Sequence, residues 1–211
     1  MFLTVLVCLG LASCSTTHGS NSAAKNKPQT LSSFDVDVRA GEDRVPPGAL
    51  NFENTDLKQV LAIYQELSGR TVIRPATLPS PAISIRNQTT LSRVQALQLL
   101  DTVLAQNGIA MVLDGDLAVK AVPEARASSE SPPEITLPWK SLPDSSSFMM
   151  RRVHLKTLRP SEVVPVLVPM ARTSNAIVPV DASGELILRD YSSNIRRMLE
   201  VLEDLEKKSA R

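Results

Sequence analysis

ISIRNQTTLSRVQALQLLDTVL, residues 83–104, and LILRDYSSNIRRMLEVLEDL, residues 186–205, pass through the same changes of pattern. Alternate apolar residues come first, Ile83 and Ile85 in one, Leu186 and Leu188 in the other, the period of a half-buried strand. An Arg with an Asn or Asp follows, then a short polar corner. Val94, Leu97, Leu100 and Leu104, or Ile195, Met198, Leu199, Leu202 and Leu205, then recur at helical spacing. The echo predicts two α+β modules. In each, helices cover one sheet face, and the other face and the edges stay open.

The first module is expected over residues 49–122. Leu50 and Phe52 alternate with Asn51 and Glu53 as a short strand. Asp56 is placed to cap a helix bearing Leu57, Val60, Leu61, Tyr64 and Leu67, which Gly69 closes. Thr71–Ile73 is β-branched and reads as a strand. Ser92 caps the second helix, which stops at Asn107-Gly108. Ile109, Met111 and Leu113 share one face of a strand. Asp114-Gly115-Asp116 turns the chain, and Leu117 and Val119 begin the return.

Residues 123–147 are rich in Pro and Ser, cannot build a core, and read as a linker. Trp139, the only tryptophan, lies there and is expected to pack on a neighbouring module. The second module, residues 148–208, reads strand (Val153, Leu155), helix from Pro160, strand Ile177–Val180, turn Asp181–Gly184, strand (Leu186, Leu188) and a final helix. Pro165 falls in or just past the first turn of its helix, and Pro169 ends or kinks it. Lys207 and Lys208 sit at the negative end of the last helix.

Both cysteines lie in the first fourteen of 211 residues. FLTVLVCLGLAS, residues 2–13, is too short to span a bilayer as a mature helix and fits the apolar core of a secretory signal. No Lys or Arg precedes it. Leu11-Ala12-Ser13-Cys14 resembles the lipobox of bacterial lipoproteins, which implies cleavage after residue 13 and lipidation of Cys14. Acyl chains contribute ~0.8 kcal/mol per buried CH₂, and several of them anchor a protein firmly. An ordinary cleaved signal with a chance cysteine is the alternative. Ser15, rather than aspartate, after the cysteine points to the outer membrane by the same resemblance. Residues 14–48 are polar, without helical period, and read as a disordered tether.

The charges nearly cancel, 23 basic against 22 acidic, and aromatics make up 3%, so neither a basic face nor a stacking platform for nucleic acid is in view. The modules hold no Cys and one His, His154, on a polar strand face. No Gly-rich phosphate loop occurs. Asp114 and Asp116 are explained by the turn, and Glu200, Glu203, Asp204 and Glu206 by a solvated helix face. The reading is a non-enzymatic binding or assembly protein without cofactor or metal. An envelope hydrolase or metal protein is the contrary reading, which this residue inventory disfavours.

LNFENTDLKQVLAIYQELSGRTVI (50–73) with residues 83–120 resembles the first periplasmic domain of secretins, the outer-membrane channels of type II secretion and type IV pili. Phe52, Asp56, Leu57, Val60, Leu61, Gly69, Leu91, Ala96, Leu97, Leu104, Asn107 and Gly108 carry the likeness. The same fold occurs as the signalling domain of TonB-dependent receptors. Residues 151–206 resemble the second, KH-like βαββα secretin domain through Val153, Leu155, Pro165, Leu167, Leu186, Ile187, Leu188, Asp190, Asn194 and Ile195.

The resemblance implies a periplasmic docking module whose partners are a secretin or inner-membrane platform proteins, with side-by-side packing into a homo-oligomeric ring. The sequence has no counterpart of the channel domain, so a detached neck of a secretin whose pore is encoded elsewhere is the alternative; an envelope signalling module is a third. Strand addition at the hairpin Ile109–Ala121 (Ile109, Met111, Leu117, Val119) or at Leu50–Asn54 is the expected mode of docking. Arg189, Arg196 and Arg197, set against a neighbour's Glu200 and Glu203, are the expected ring contact. Exposed pairs of that kind contribute only ~0–1 kcal/mol each.

Overall fold

The structure, a computed structural model, describes residues 44–210. The signal segment 1–13, Cys14 and the tether up to residue 43 lie outside the described residues.

The first module builds β1 (Arg44–Val45), β2 (Asn51–Asp56), α1 (Leu57–Ser68), β3 (Thr71–Ile73), β4 (Ala82–Arg86), β5 (Leu91–Ser92), α2 (Arg93–Gln106), β6 (Ile109–Asp114) and β7 (Ala118–Pro123). Local chemistry sets the helix ends. The Asp56 carboxylate accepts the Lys58 N–H at 2.8 Å, which holds its pKa below the usual carboxylate range. Gly69 adopts φ 65°, and its N–H caps the Gln65 carbonyl. At α2, Ser92 and Gln95 form a reciprocal capping box at 3.2 and 2.8 Å.

Three small sheets surround these helices. β2 pairs antiparallel with β4 across a bulge, where Asn54 takes φ 52° and donates its N–H to Ser84 Oγ. β7 lies between β3, parallel to it, and β6, its hairpin partner. β1 pairs with β5. Leu57, Val60, Ile83, Leu100, Leu104, Ile109 and Val119 form the core.

The end of the expected tether is docked in this module. Asn87 is buried; its amide donates to Pro46 O (2.8 Å) and Thr89 O (3.0 Å), and its Oδ1 accepts the Leu50 N–H at 3.0 Å. One side chain thus ties residues 44–50 to the β4–β5 loop, a contact that the polar composition of the segment conceals.

The second module has the expected βαββα order: β8 (Phe148–His154), α4 (Pro160–Leu167), β9 (Ile177–Val180), β10 (Glu185–Tyr191) and α5 (Ser192–Ser209). β10 is central, antiparallel to both neighbours. Pro160 opens α4, Pro165 lies within it, and a 3₁₀ turn at Val168–Met170 containing Pro169 follows. Leu155, Val163, Leu167, Leu186, Leu188, Ile195, Met198 and Leu202 make the core. Glu206 on α5 accepts the N–H groups of Lys156, Thr157 and Leu158 at 3.0–3.2 Å. Burial opposes ionisation of Glu206, but these bonds together bring its pKa below the usual range.

Residues 123–147 depart from the bare-linker expectation. They form a short helix, α3 (Glu124–Ala127), and bury Ile135 and Leu142 in the second core. Pro and Ser forbid long regular elements but do not prevent two apolar side chains from inserting. Trp139 packs on this module, its Nε1–H donating to Glu203 at 3.0 Å.

Candidate partner-binding surfaces and the junction between the modules

The hairpin side chains expected to meet a partner are divided by the structure. Ile109, Met111 and Val119 are buried in the first core. Leu117 stands in the turn outside β7 and is 83% exposed. β7 has strands on both sides, so it cannot accept another, which corrects the expectation for that half of the hairpin. β6 is covered on its second face as well: Ala110 and Val112 pack with Phe148 and Tyr191 of the second module. The alternation Ile109, Met111, Leu113 shows the inward face; four consecutive apolar residues, Ile109–Val112, were the available sign of a strand buried on both sides. β2, β3, β4 and β6 each pair with one strand only, so each keeps an edge without a strand partner, including the β6 half of the hairpin. Leu50, at the start of the other expected docking strand, is itself buried.

The three arginines are not one patch. Arg189 lies on the central strand β10 and donates through Nη1 to Ser128 O at 3.3 Å, a contact within the chain. Arg196 and Arg197 lie in the first half of α5, Arg197 exposed and Arg196 half-buried. Glu203, their expected partner on a neighbour, is engaged by Trp139 and by Lys207 at 2.8 Å.

The junction between the modules has no signature in the sequence pattern. Phe148 and Tyr191 meet edge to face, with centroids 5.4 Å apart, over Ala105, Ala110, Val112, Val122 and Ala127. Arg172 clamps the modules: Nη2 donates to Ala105 O at 2.7 Å, Nε pairs with Glu124 at 2.5 Å, and the guanidinium lies 5.1 Å from the Tyr191 centroid. Asp190 sits beneath, accepting the N–H groups of Arg172 (2.7 Å) and Tyr191 (2.6 Å) and the Asn194 amide (3.1 Å). Burial nevertheless raises its pKa above the usual value.

A second polar contact crosses the junction at Asp101 of α2. Ser147, just before β8, donates to its Oδ2 at 2.7 Å, and Oδ1 is buried without a hydrogen-bond partner. Burial pushes Asp101 up to about 7, although the Ser147 and Tyr64 hydroxyls oppose the shift. In the helical pattern Asp101 reads as an unremarkable polar residue, because the side chain that buries it arrives from another module.

Comparison with known proteins gives a consistent picture. Secretin XcpQ of Pseudomonas aeruginosa is 26% identical over 174 residues, covering 82% of this chain and 25% of that protein. Secretin XpsD of Xanthomonas campestris pv. campestris is 34% identical over 140 residues, covering 65% of this chain and 17% of that protein. The chain therefore spans a quarter or less of the length of these curated relatives. A chain of the Klebsiella pneumoniae type II secretion system outer membrane complex, with PulD, PulS and the PulC HR domain, matches with a TM-score of 0.60 at 21% identity. That match covers 74% of this chain and 26% of the other, and it establishes a shared fold. No protein-family profile matches the chain. The homologues of this chain are the N-terminal domains of secretins, and these matches take in none of the channel domain.

Proposed function

We propose that the chain is a non-enzymatic docking module of a type II secretion system, working in the periplasm and held at the outer membrane through lipidated Cys14. The observation that carries this reading is the similarity to XcpQ over 82% of the chain, which runs through both modules in order. The unpartnered edges of β2 and β3 suit partners that add a strand, since backbone groups ask for few specific side chains. The Klebsiella complex, which unites PulD with PulS and the PulC HR domain, supplies the partner classes: a secretin and the HR domain of a PulC-type protein.

The test is affinity capture from detergent-solubilised envelopes, followed by identification of what co-purifies. Recovery of a secretin or a PulC-type protein supports the proposal; recovery of no secretion component refutes it. The anchor is tested separately. Cys14→Ser is expected to abolish incorporation of labelled fatty acid and to release the protein into the soluble periplasmic fraction; unchanged membrane association refutes the lipid assignment.

A further inference from the structure

The second sheet ends on an edge that the chain uses only in part. β8 is outermost and pairs with β10 alone. Leu155 N–H donates to Gly184 O at 2.8 Å in continuation of that ladder, so Arg151 and Val153, in step with Leu155, turn their backbone groups toward β10. Met150, Arg152 and His154 consequently turn theirs outward. Residues 133–135 meet the first of these: Met150 N–H donates to Pro133 O at 3.1 Å, and Ile135 N–H donates to Met150 O at 2.9 Å. The outward groups of Arg152 and His154 have no backbone partner among the described residues.

Beside that open stretch lies a groove of about 510 Å³ between β8 and the C-terminal half of α5. Trp139, Val153, Leu155, Leu199 and Leu202 give it apolar walls. Its acids are already engaged: Glu203 by Trp139 and Lys207, Glu206 by the three N–H groups after β8. Arg152 pairs with Glu134 at 3.3 Å. Two cations are left over. Arg151 donates through Nη1 to Ile135 O at 2.6 Å while its Nε is buried without a partner, and Lys156 makes no ion pair among the described residues.

We infer that the β8 edge and this groove bind an extended segment of a partner protein in which apolar residues alternate with Asp or Glu. The free N–H and C=O groups of Arg152 and His154 call for a β-strand backbone. The apolar walls accept every second side chain, and the uncompensated charge of Lys156, just past the end of β8, selects acidic residues between them. Residues 133–135 already show this edge holding a short parallel segment. The inference does not depend on which machine supplies the partner.

The experiment titrates the ¹⁵N-labelled chain with a synthetic peptide of alternating Val and Asp, and with its Val–Lys counterpart. Saturable binding of the Val–Asp peptide is expected, with slowed amide exchange at Arg152 and His154. His154→Pro removes one outward donor but no bond to β10, so it should weaken binding by about tenfold. Lys156→Glu, on an exposed side chain, should leave the fold intact and shift preference toward the Val–Lys peptide. Equal affinity in both variants, or slowed exchange at β2 or β3 instead, overturns the inference. Self-association without peptide, lost in His154→Pro, also overturns it, because the edge would then serve a second copy of this chain.

Discussion

Asp101→Asn isolates a cost that the structure places at the junction. Asp101 is buried, accepts the Ser147 hydroxyl, and has its pKa pushed from the ordinary 3.8 to about 7 by burial. A carboxyl with a raised folded pKa favours the fold while protonated. Its contribution is intact below the unfolded pKa and is lost as pH rises from about 4 to about 7. With 1.36 kcal/mol per pKa unit, the full loss above pH 7 is about 4 kcal/mol, of which about 2–3 kcal/mol falls between pH 5 and pH 8. Asn keeps the shape and an oxygen for Ser147 but cannot ionise. Urea unfolding of the full chain and of Asp101→Asn at pH 5 and pH 8 measures the difference. The native chain should lose stability relative to the variant by about 2–3 kcal/mol over that interval, at similar m-values. A difference between the two proteins that does not change with pH would refute the reasoning.

Further outcomes follow from the same geometry. Ser92→Ala removes the capping box and should cost about 1 kcal/mol in urea unfolding. Leu188→Ala, in the centre of the second core, should cost about 2–5 kcal/mol, measured in the same way. Arg172→Ala frees the Ala105 carbonyl and Glu124, and should speed amide exchange along β6 and the start of β8 while exchange in the helices of both cores holds. Leu117→Asp, at an exposed turn, should alter stability by less than about 0.5 kcal/mol; a larger loss would mean that the residue belongs to the packed strand.

Elements defined by local chemistry were legible in the sequence. Asp56, Ser92 and Gly69 mark helix ends through bonds to residues two to four positions away, so the pattern contains the whole interaction. The βαββα order of the second module followed likewise from alternation and period. What depended on distant partners did not. Asn87 reaches back 41 residues to Pro46, Ser147 reaches 46 to Asp101, and Arg172 reaches 67 to Ala105. Each is a polar residue in a polar stretch, and nothing nearby declares which distant group it will meet. The same blindness offered Ile109, Met111 and Val119 as docking residues: alternation told which residues share a face, but not that this face closes on the first core while Phe148 covers the other. The partner groove is harder still to read, because it depends on which backbone groups of β8 face outward, a matter of register.

The proposed function of this chain is docking to secretion-system components. Its most direct test is calorimetric titration of the purified chain with the HR domain of a PulC-type protein and with a secretin periplasmic region from the same organism. Saturable one-to-one binding to at least one of them, weakened by proline substitutions along the β2 or β3 edge, is the predicted result. Absence of binding to both would contradict the account.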